Sequence, residues 1–170
     1  MKYPMTPSGY ALLRRELLKL KGMRVELAEA IEVARGHGDL SENGDYDAAK
    51  ERSGMVEAKI RDLEARLAAA DVIDPLSIKD PIRVMFGVTV FLESVDSGEE
   101  RKFTIVGTEE SDINRGYISY DSPIGRALIG KEPGDVARVQ APGGAREYEI
   151  REILVAYEAM IIPLEDSTTP

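Results

Sequence analysis

Apolar residues in the first half of the chain form a stripe at Leu13, Leu17, Leu20, Leu27, Ile31 and Ala34, with Arg24 in the one gap, at alternating steps of four and three. That alternation marks a helix burying one seam against another helix. After a break the same rhythm resumes at Tyr46, Ala49, Ser53, Val56, Ile60, Leu63, Leu67 and Ala70. Two such stripes joined by a short connection bury their seams by folding back on each other, which predicts an antiparallel coiled-coil hairpin. At ~1.5 Å per residue each arm makes a rod about 40 Å long, and two packed helices make it ~20 Å across. Thr6-Pro7 predicts the start of the first helix, a hydroxyl cap followed by proline at the first helical position. Arg24 is a charged intruder in the seam. Gly22 predicts a weak point or bend, because glycine inside a helix costs ~1 kcal/mol relative to alanine. Near the turn the seam thins to Ala34, Ala49 and Ser53, which predicts a mobile tip.

Beyond Asp71 the period changes. Asp74-Pro75 and Asp80-Pro81 are expected to stop the second helix, because the residue before proline is pushed out of the helical region. Val84, Phe86, Val88, Val90 and Leu92 then alternate as one face of a long strand. Asp96-Ser97-Gly98 predicts a turn and Lys102 to Gly107 the returning strand, with Phe103 and Ile105 inward. Gly116 to Tyr120 reads as a short strand. Ser122-Pro123 opens a short helix through Leu128. Lys131 to Asp135 reads as a turn, and Val136 to Ala141 and Glu147 to Val155 as two strands joined by Pro142-Gly143-Gly144. The fold class expected is α+β: an N-terminal antiparallel coiled-coil hairpin, then a small, mostly antiparallel β domain with one short helix. The expected divisions are a hairpin domain over 1–75, a linker over 76–81, a globular domain over 82–157 and a tail over 158–170. Residues 165–170 are polar and expected to be disordered.

Composition narrows the function. A net charge of −9 argues against non-specific coating of nucleic acid, which needs clustered cations. There is no cysteine, so disulfides and thiolate metal sites are excluded. No apolar run approaches the ~18 residues of a membrane span, and the start lacks the apolar core of a signal peptide. A cytoplasmic monomer with no membrane partner is the expectation.

The connection between the stripes, Gly36-His37-Gly38-Asp39-Leu40-Ser41-Glu42-Asn43-Gly44-Asp45-Tyr46, is rich in glycine and acid and holds no lysine or arginine. Asp39 and Glu42 lie three residues apart at the mouth of the second helix. Two readings fit this spacing. Asp39-x-x-Glu42 makes a capping box, and acids favour a helix N-terminus through its dipole. Alternatively the two carboxylates hold a divalent cation together with ligands from a partner; magnesium prefers carboxylate oxygen and leaves positions open for phosphates. Two carboxylates cannot complete its shell, so the loop would need an active site supplied by something else. Asp45 and Asp47 point elsewhere on the helix and read as a solvated face. His37, the sole histidine, reads as a turn or contact residue. Gly36-x-Gly38 follows a helix rather than a strand, so the dinucleotide fingerprint fails. No motif marks an activated serine or threonine. Arg35 and Lys50 flank the tip, either as exposed helix charges or as phosphate contacts.

Ala34 to Asn43, Tyr46 and Ala48-Ala49-Lys50-Glu51 closely resemble the hairpin-tip signature of the bacterial Gre transcript cleavage factors, nearer the GreA branch than the more basic GreB. Met5-Thr6-Pro7-x-Gly9, Ala70-Asp71-Val72-Ile73-Asp74, Ser122 to Lys131 and Pro142-Gly143-Gly144 extend the resemblance from about Met5 to Tyr157. It implies an FKBP-like C-terminal domain without isomerase activity, since fold does not fix function. It implies binding to bacterial RNA polymerase, with the globular domain at the rim of the secondary channel and the hairpin reaching down to the catalytic centre. There the tip would act on the extruded 3′ end of the nascent RNA in a backtracked complex. Asp39 and Glu42 would help hold a magnesium ion shared with polymerase and orient a water, so that polymerase hydrolyses its own transcript. The factor would have no complete active site and no stably bound cofactor. Asn43 and Tyr46 would support the tip, and Arg35 and Lys50 would face RNA. Three departures stand out: Gly44 and Asp45 replace the usual alanine and glutamate, Lys50 replaces a common arginine and loses its bidentate fork, and the chain runs on past Tyr157. Two other readings compete: a related factor that occupies the channel and inhibits without cleavage, and an adaptor in which the acids only cap.

Overall fold

The computed structural model describes residues 2–36 and 44–159. They form two compact units, one of residues 11–70 and one combining residues 2–10 with those from Asp71 onward.

Strand β1 (Tyr3–Met5) leads into helix α1 (Pro7–Arg35), and α2 (Gly44–Ala68) follows. The expected cap is present: the Gly9 N–H donates to Thr6 Oγ1 at 3.0 Å, and Pro7 takes the first helical position. The seam is laid out as the heptads require. Leu13, Leu20, Leu27 and Ala34 of α1 are buried, as are Ala49, Val56, Ile60 and Leu63 of α2, and the intervening Leu17 and Ile31 are half-buried. Arg24 corrects the expectation of a charge in the core. Its guanidinium is exposed and reaches across to α2, where Nε donates to Glu57 Oε1 at 2.6 Å and Nη2 to Glu57 Oε2 at 3.0 Å. Lys21 and Glu64 make a second cross-helix pair at 3.5 Å. Exposed pairs of this kind add little stability in salt, but they penalise a slipped register. Helix α1 continues through Gly22 without interruption, and a Cβ there would meet nothing within 4 Å, so no packing demand explains the glycine.

The end of α2 also differs from expectation. The helix stops at Ala68, ahead of both Asp-Pro pairs, and Ala70 leaves the seam to begin β2 (Ala70–Val72). Strand β2 pairs with β1, and the Ile73 N–H extends the contact to the Met5 carbonyl at 2.7 Å. Asp74-Pro75 instead opens a 3₁₀ turn at Pro75–Ser77, with the Leu76 N–H donating to Asp74 Oδ1 at 3.0 Å.

The remaining strands are β3 (Thr89–Ser94), β4 (Glu100–Val106) and β5 (Tyr117–Ser119), then α3 (Pro123–Leu128), β6 (Val136–Ala141) and β7 (Gly144–Leu154). They make one curled sheet in the order β5-β4-β3-β7-β6. All neighbours are antiparallel except β4 and β5, which run parallel. Val84, Val88, Val90, Leu92, Ile105, Ile118, Leu128, Ala137 and Ile150 pack into its core. The long strand expected from Val84 begins only at Thr89. Gly87 adopts φ +93° in a turn closed by the Val88 N–H to the Met85 carbonyl at 3.3 Å. Val84 and Val88 remain buried on either side of it, which is why the alternation looked continuous. Helix α3 is as expected, with Ser122 Oγ accepting from the Gly125 N–H at 3.1 Å.

One buried acid had no signal in the sequence. Glu110, only 3% exposed, accepts from the Tyr157 hydroxyl at 2.7 Å through Oε2. Its Oε1 has no hydrogen-bond partner among the described residues. The nearby Gly9 N–H donates to Thr6 Oγ1 and also favours the charged form of Glu110. Burial raises the Glu110 pKa, against the pull of Tyr157 and Gly9. Burial likewise pushes the Tyr157 hydroxyl up to about 12, so it remains a donor at neutral pH. A carboxyl raised in the folded state gives stability that is complete below the unfolded pKa of ~4.3 and is lost as pH rises through the folded value. Glu110→Gln keeps the acceptor for Tyr157 and removes the titration. The denaturation midpoint of the wild type should therefore fall relative to that of Glu110→Gln as pH rises from about 4 to 7. Parallel midpoint curves would show that Glu110 ionises in the fold at no cost.

Candidate functional site

The candidate site sits where the two arms of the hairpin meet. Helix α1 ends with the Gly36 N–H shared between the Glu32 and Val33 carbonyls at 3.2 and 3.1 Å. Helix α2 begins at Gly44 with Asp45 and Asp47 in its first turn, exposed and favourably placed against the helix dipole. Between them His37, Asp39, Glu42 and Asn43 lie outside the described residues. So does the segment for which the thinning seam predicts mobility.

The described residues that flank this loop converge on one phenol. Tyr46 is half-buried in the first turn of α2. Lys50, one turn further on, directs its ammonium at the Tyr46 oxygen, and Arg35, from the last turn of α1, does the same. Together they lower the Tyr46 pKa, Lys50 most and Arg35 next. The Lys50 Nζ also lies 5.2 Å from the Tyr46 ring centroid, within cation–π range. Arg35 is shared with Glu32 of its own helix at 3.4 Å. The sequence marked these three residues separately. That one phenol gathers both cations could not be read from it, because Arg35 belongs to the other arm. Small seam residues help here: Ala34 and Ala49 are both buried and take little room between the helices.

The described part of the site is therefore a cationic base around Tyr46, and the Asp39-x-x-Glu42 pair falls in the segment outside the described residues. Among the described residues no group of three or more acidic or histidine side chains is arranged to hold a metal ion. No described helix is long and apolar enough to cross a membrane.

Comparison with known proteins matches both parts of the chain. Residues 3–72 fit the family described as "Transcription elongation factor, N-terminal", and residues 79–154 the family described as "Transcription elongation factor, GreA/GreB, C-term". The transcription elongation factor GreA of Psychrobacter cryohalolentis is 49% identical over 154 residues, covering 90% of this chain and 98% of that one. That of Neisseria meningitidis serogroup A is 52% identical over 153 residues, covering 89% and 97%. Among solved structures, the GreA factor homolog 1 (Gfh1) protein of Thermus thermophilus is 27% identical, with 90% of this chain and 99% of that one covered and a TM-score of 0.42.

Proposed function

The chain belongs to the GreA/GreB family of transcription elongation factors, and from that premise we propose that its hairpin tip enters the secondary channel of RNA polymerase and lends Asp39 and Glu42 to the catalytic centre. Family members are not enzymes themselves; they stimulate cleavage of the transcript by RNA polymerase. The finer assignment of residues is our reading, and it rests on chemistry and placement.

The observation that carries it is the frame around the tip. A helical pair of 29 and 25 residues, about 40 Å long at ~1.5 Å per residue, ends in a loop whose only acids are Asp39 and Glu42. Such a rod is narrow enough for a channel and long enough to reach a buried centre. The donor set suits magnesium, a hard cation that favours carboxylate oxygen. Two carboxylates leave most of its shell to polymerase, nucleic acid and water. When bound, a second metal ion in a nuclease-type centre stabilises the attacking and leaving oxygens and activates a water.

The rest of the mechanism belongs to this chain's own side chains. Asp39 and Glu42 supply negative charge and oxygen ligands at the point where the RNA 3′ end is extruded. Lys50 and Arg35 place positive charge beside them, suited to the RNA phosphates. Tyr46, held by both cations, ties the start of α2 to the end of α1 and fixes the base from which the loop projects. Asn43 supports the loop. In this reading the factor holds no cofactor of its own, and its partners are polymerase and the nascent transcript. An inhibitory relative that fills the channel without cleavage would have no use for the acid pair, so its presence favours cleavage.

A stalled, backtracked transcription complex supplied with magnesium tests this directly. Addition of the wild-type chain should release short RNA fragments from the 3′ end and restore extension. Binding to polymerase with slower nucleotide addition and no fragments would replace this reading with the inhibitory one.

A further inference from the structure

The outer face of α1, turned away from the seam, carries an apolar line where a surface helix is expected to be polar. Leu18, Val25 and Val33 are 70%, 59% and 64% exposed. With Ala11 they lie within about 60° of Gly22 around the helix at ~3.6 residues per turn. This line runs on the side opposite the buried Leu13, Leu20 and Leu27. Gly22 sits at its middle. A Cβ there would meet nothing within 4 Å, so nothing in the chain's own packing offsets the ~1 kcal/mol that a helical glycine costs.

The charges on the same face are arranged about Gly22. Lys19 precedes it by three residues and Glu26 follows it by four; Arg15 precedes it by seven and Glu29 follows it by seven. Leu18 and Val25 fall to one side of Gly22, and Lys19 and Glu26 to the other. A second α1 laid antiparallel on this face, related by a two-fold axis crossing at Gly22, brings each residue opposite the one equally far beyond the glycine. Leu18 then meets Val25 of the second copy, and Lys19 meets Glu26. Arg15, already engaged within its own chain, comes level with Glu29, and Ala11 with Val33. We propose that a second copy of this chain covers the outer face of α1, in an antiparallel pair centred on Gly22.

Charge complementarity selects both the occupant and its direction. A parallel pair would set Arg15 and Lys19 beside their own copies and Glu26 and Glu29 beside theirs, like charge against like. The antiparallel pair sets basic half against acidic half. Gly22, at the crossing, presents bare backbone and lets the two axes approach at the near end of the usual ~8–10 Å. Burying Leu18 and Val25 of both copies takes exposed aliphatic side chains out of water. Residues 11–33 span ~33 Å at ~1.5 Å per residue, so the contact belongs to the small class, under about 1,200 Å², that gives transient association. The monomeric state expected above then holds in dilute solution.

Sedimentation of the full chain at rising concentration tests the proposal. The chain should pass from monomer to dimer between ~1 µM and ~1 mM. Lys19→Glu and Glu26→Lys each place like charges opposite one another twice in a symmetric pair, and each should weaken the dimer ~10-fold or more. The two variants complement each other, so an equal mixture should form a heterodimer at a concentration where neither alone associates. Gly22→Gln adds a good helix former with a bulky side chain. It should raise the thermal midpoint measured in dilute solution and yet weaken the dimer ~10-fold or more. A chain that stays monomeric up to ~1 mM would overturn the proposal. So would a dimer that none of the three substitutions weakens, because the copies would then meet elsewhere. Loss of polymerase binding by Lys19→Glu, in a chain that is monomeric throughout, would give the face to polymerase instead.

Discussion

With Asp39 replaced by asparagine, the release of short 3′ RNA fragments from stalled polymerase should fall by about 100-fold or more, the scale seen when one group stabilising a transition state is removed. The substitution is chosen because it separates two roles that the spacing of Asp39 and Glu42 leaves superimposed. Asparagine caps a helix about as well as aspartate, so an adaptor whose acids only close the first turn of α2 would not register the change. Asparagine is a neutral and poorer ligand for a hard dication, so a chain that lends charge to a metal centre would register it strongly. Thermal unfolding of the hairpin and competition for polymerase should both match the wild type. Wild-type fragment release by Asp39→Asn would assign the acid to capping and remove it from the chemistry.

The second large effect concerns stability. Gly125→Ala should destabilise the chain by about 3 kcal/mol, the upper end of the cost of overpacking a well-filled interior. A Cβ at this position would lie 2.2 Å from the Ser119 carbonyl oxygen and 3.1 Å from that of Tyr120. Both are backbone atoms, so no side chain can swing aside. Helix α3 would have to move outward, yet Leu128 on the same helix is fully buried in the sheet core and resists that movement. The Gly125 N–H would also be drawn away from Ser122 Oγ, loosening the cap. Gly143→Ala is the control: nothing lies within 4 Å of a Cβ there. Its denaturation midpoint should stay within about 1 kcal/mol of the wild type. Equal midpoints for the two variants would mean that α3 shifts without cost.

Much of this architecture could be read from the residues. Both coiled-coil seams followed from their four–three rhythm, because burial against a single partner helix imposes that period directly. Helix α3 followed from Ser122-Pro123, a local signal that needs no knowledge of the rest of the fold. Other features depended on partners far away along the chain. Strands β1 and β2 are three residues each and pair Tyr3–Met5 with Ala70–Val72. Neither has an alternating pattern, and Pro4 argues against a strand, so only their mutual pairing reveals them. The parallel pairing of β4 with β5 is similarly invisible, since alternation reports burial and not direction. Glu110 looks like one of two adjacent surface glutamates until the fold brings Tyr157 over it. At the tip, residue spacing alone could not choose between cap and ligand; the ligand reading rests on the resemblance of the whole motif, and Asp39→Asn decides it. The structure added that Arg35 and Lys50 share Tyr46, a convergence across two helices that no one-dimensional pattern contains.

The exposed pairs Arg24–Glu57 and Lys21–Glu64 have a bearing on how such factors can change length. Each pair ties one arm to the other at a set level, so the hairpin behaves as a ruler graduated in heptads. Adding seven residues to both arms at matching levels would lengthen it by about 10 Å and keep the seam and the ion pairs in step. Adding them to one arm alone would throw every level above the insertion out of step. Reach and tip chemistry are therefore separately adjustable: the first in paired whole heptads, the second residue by residue in the loop.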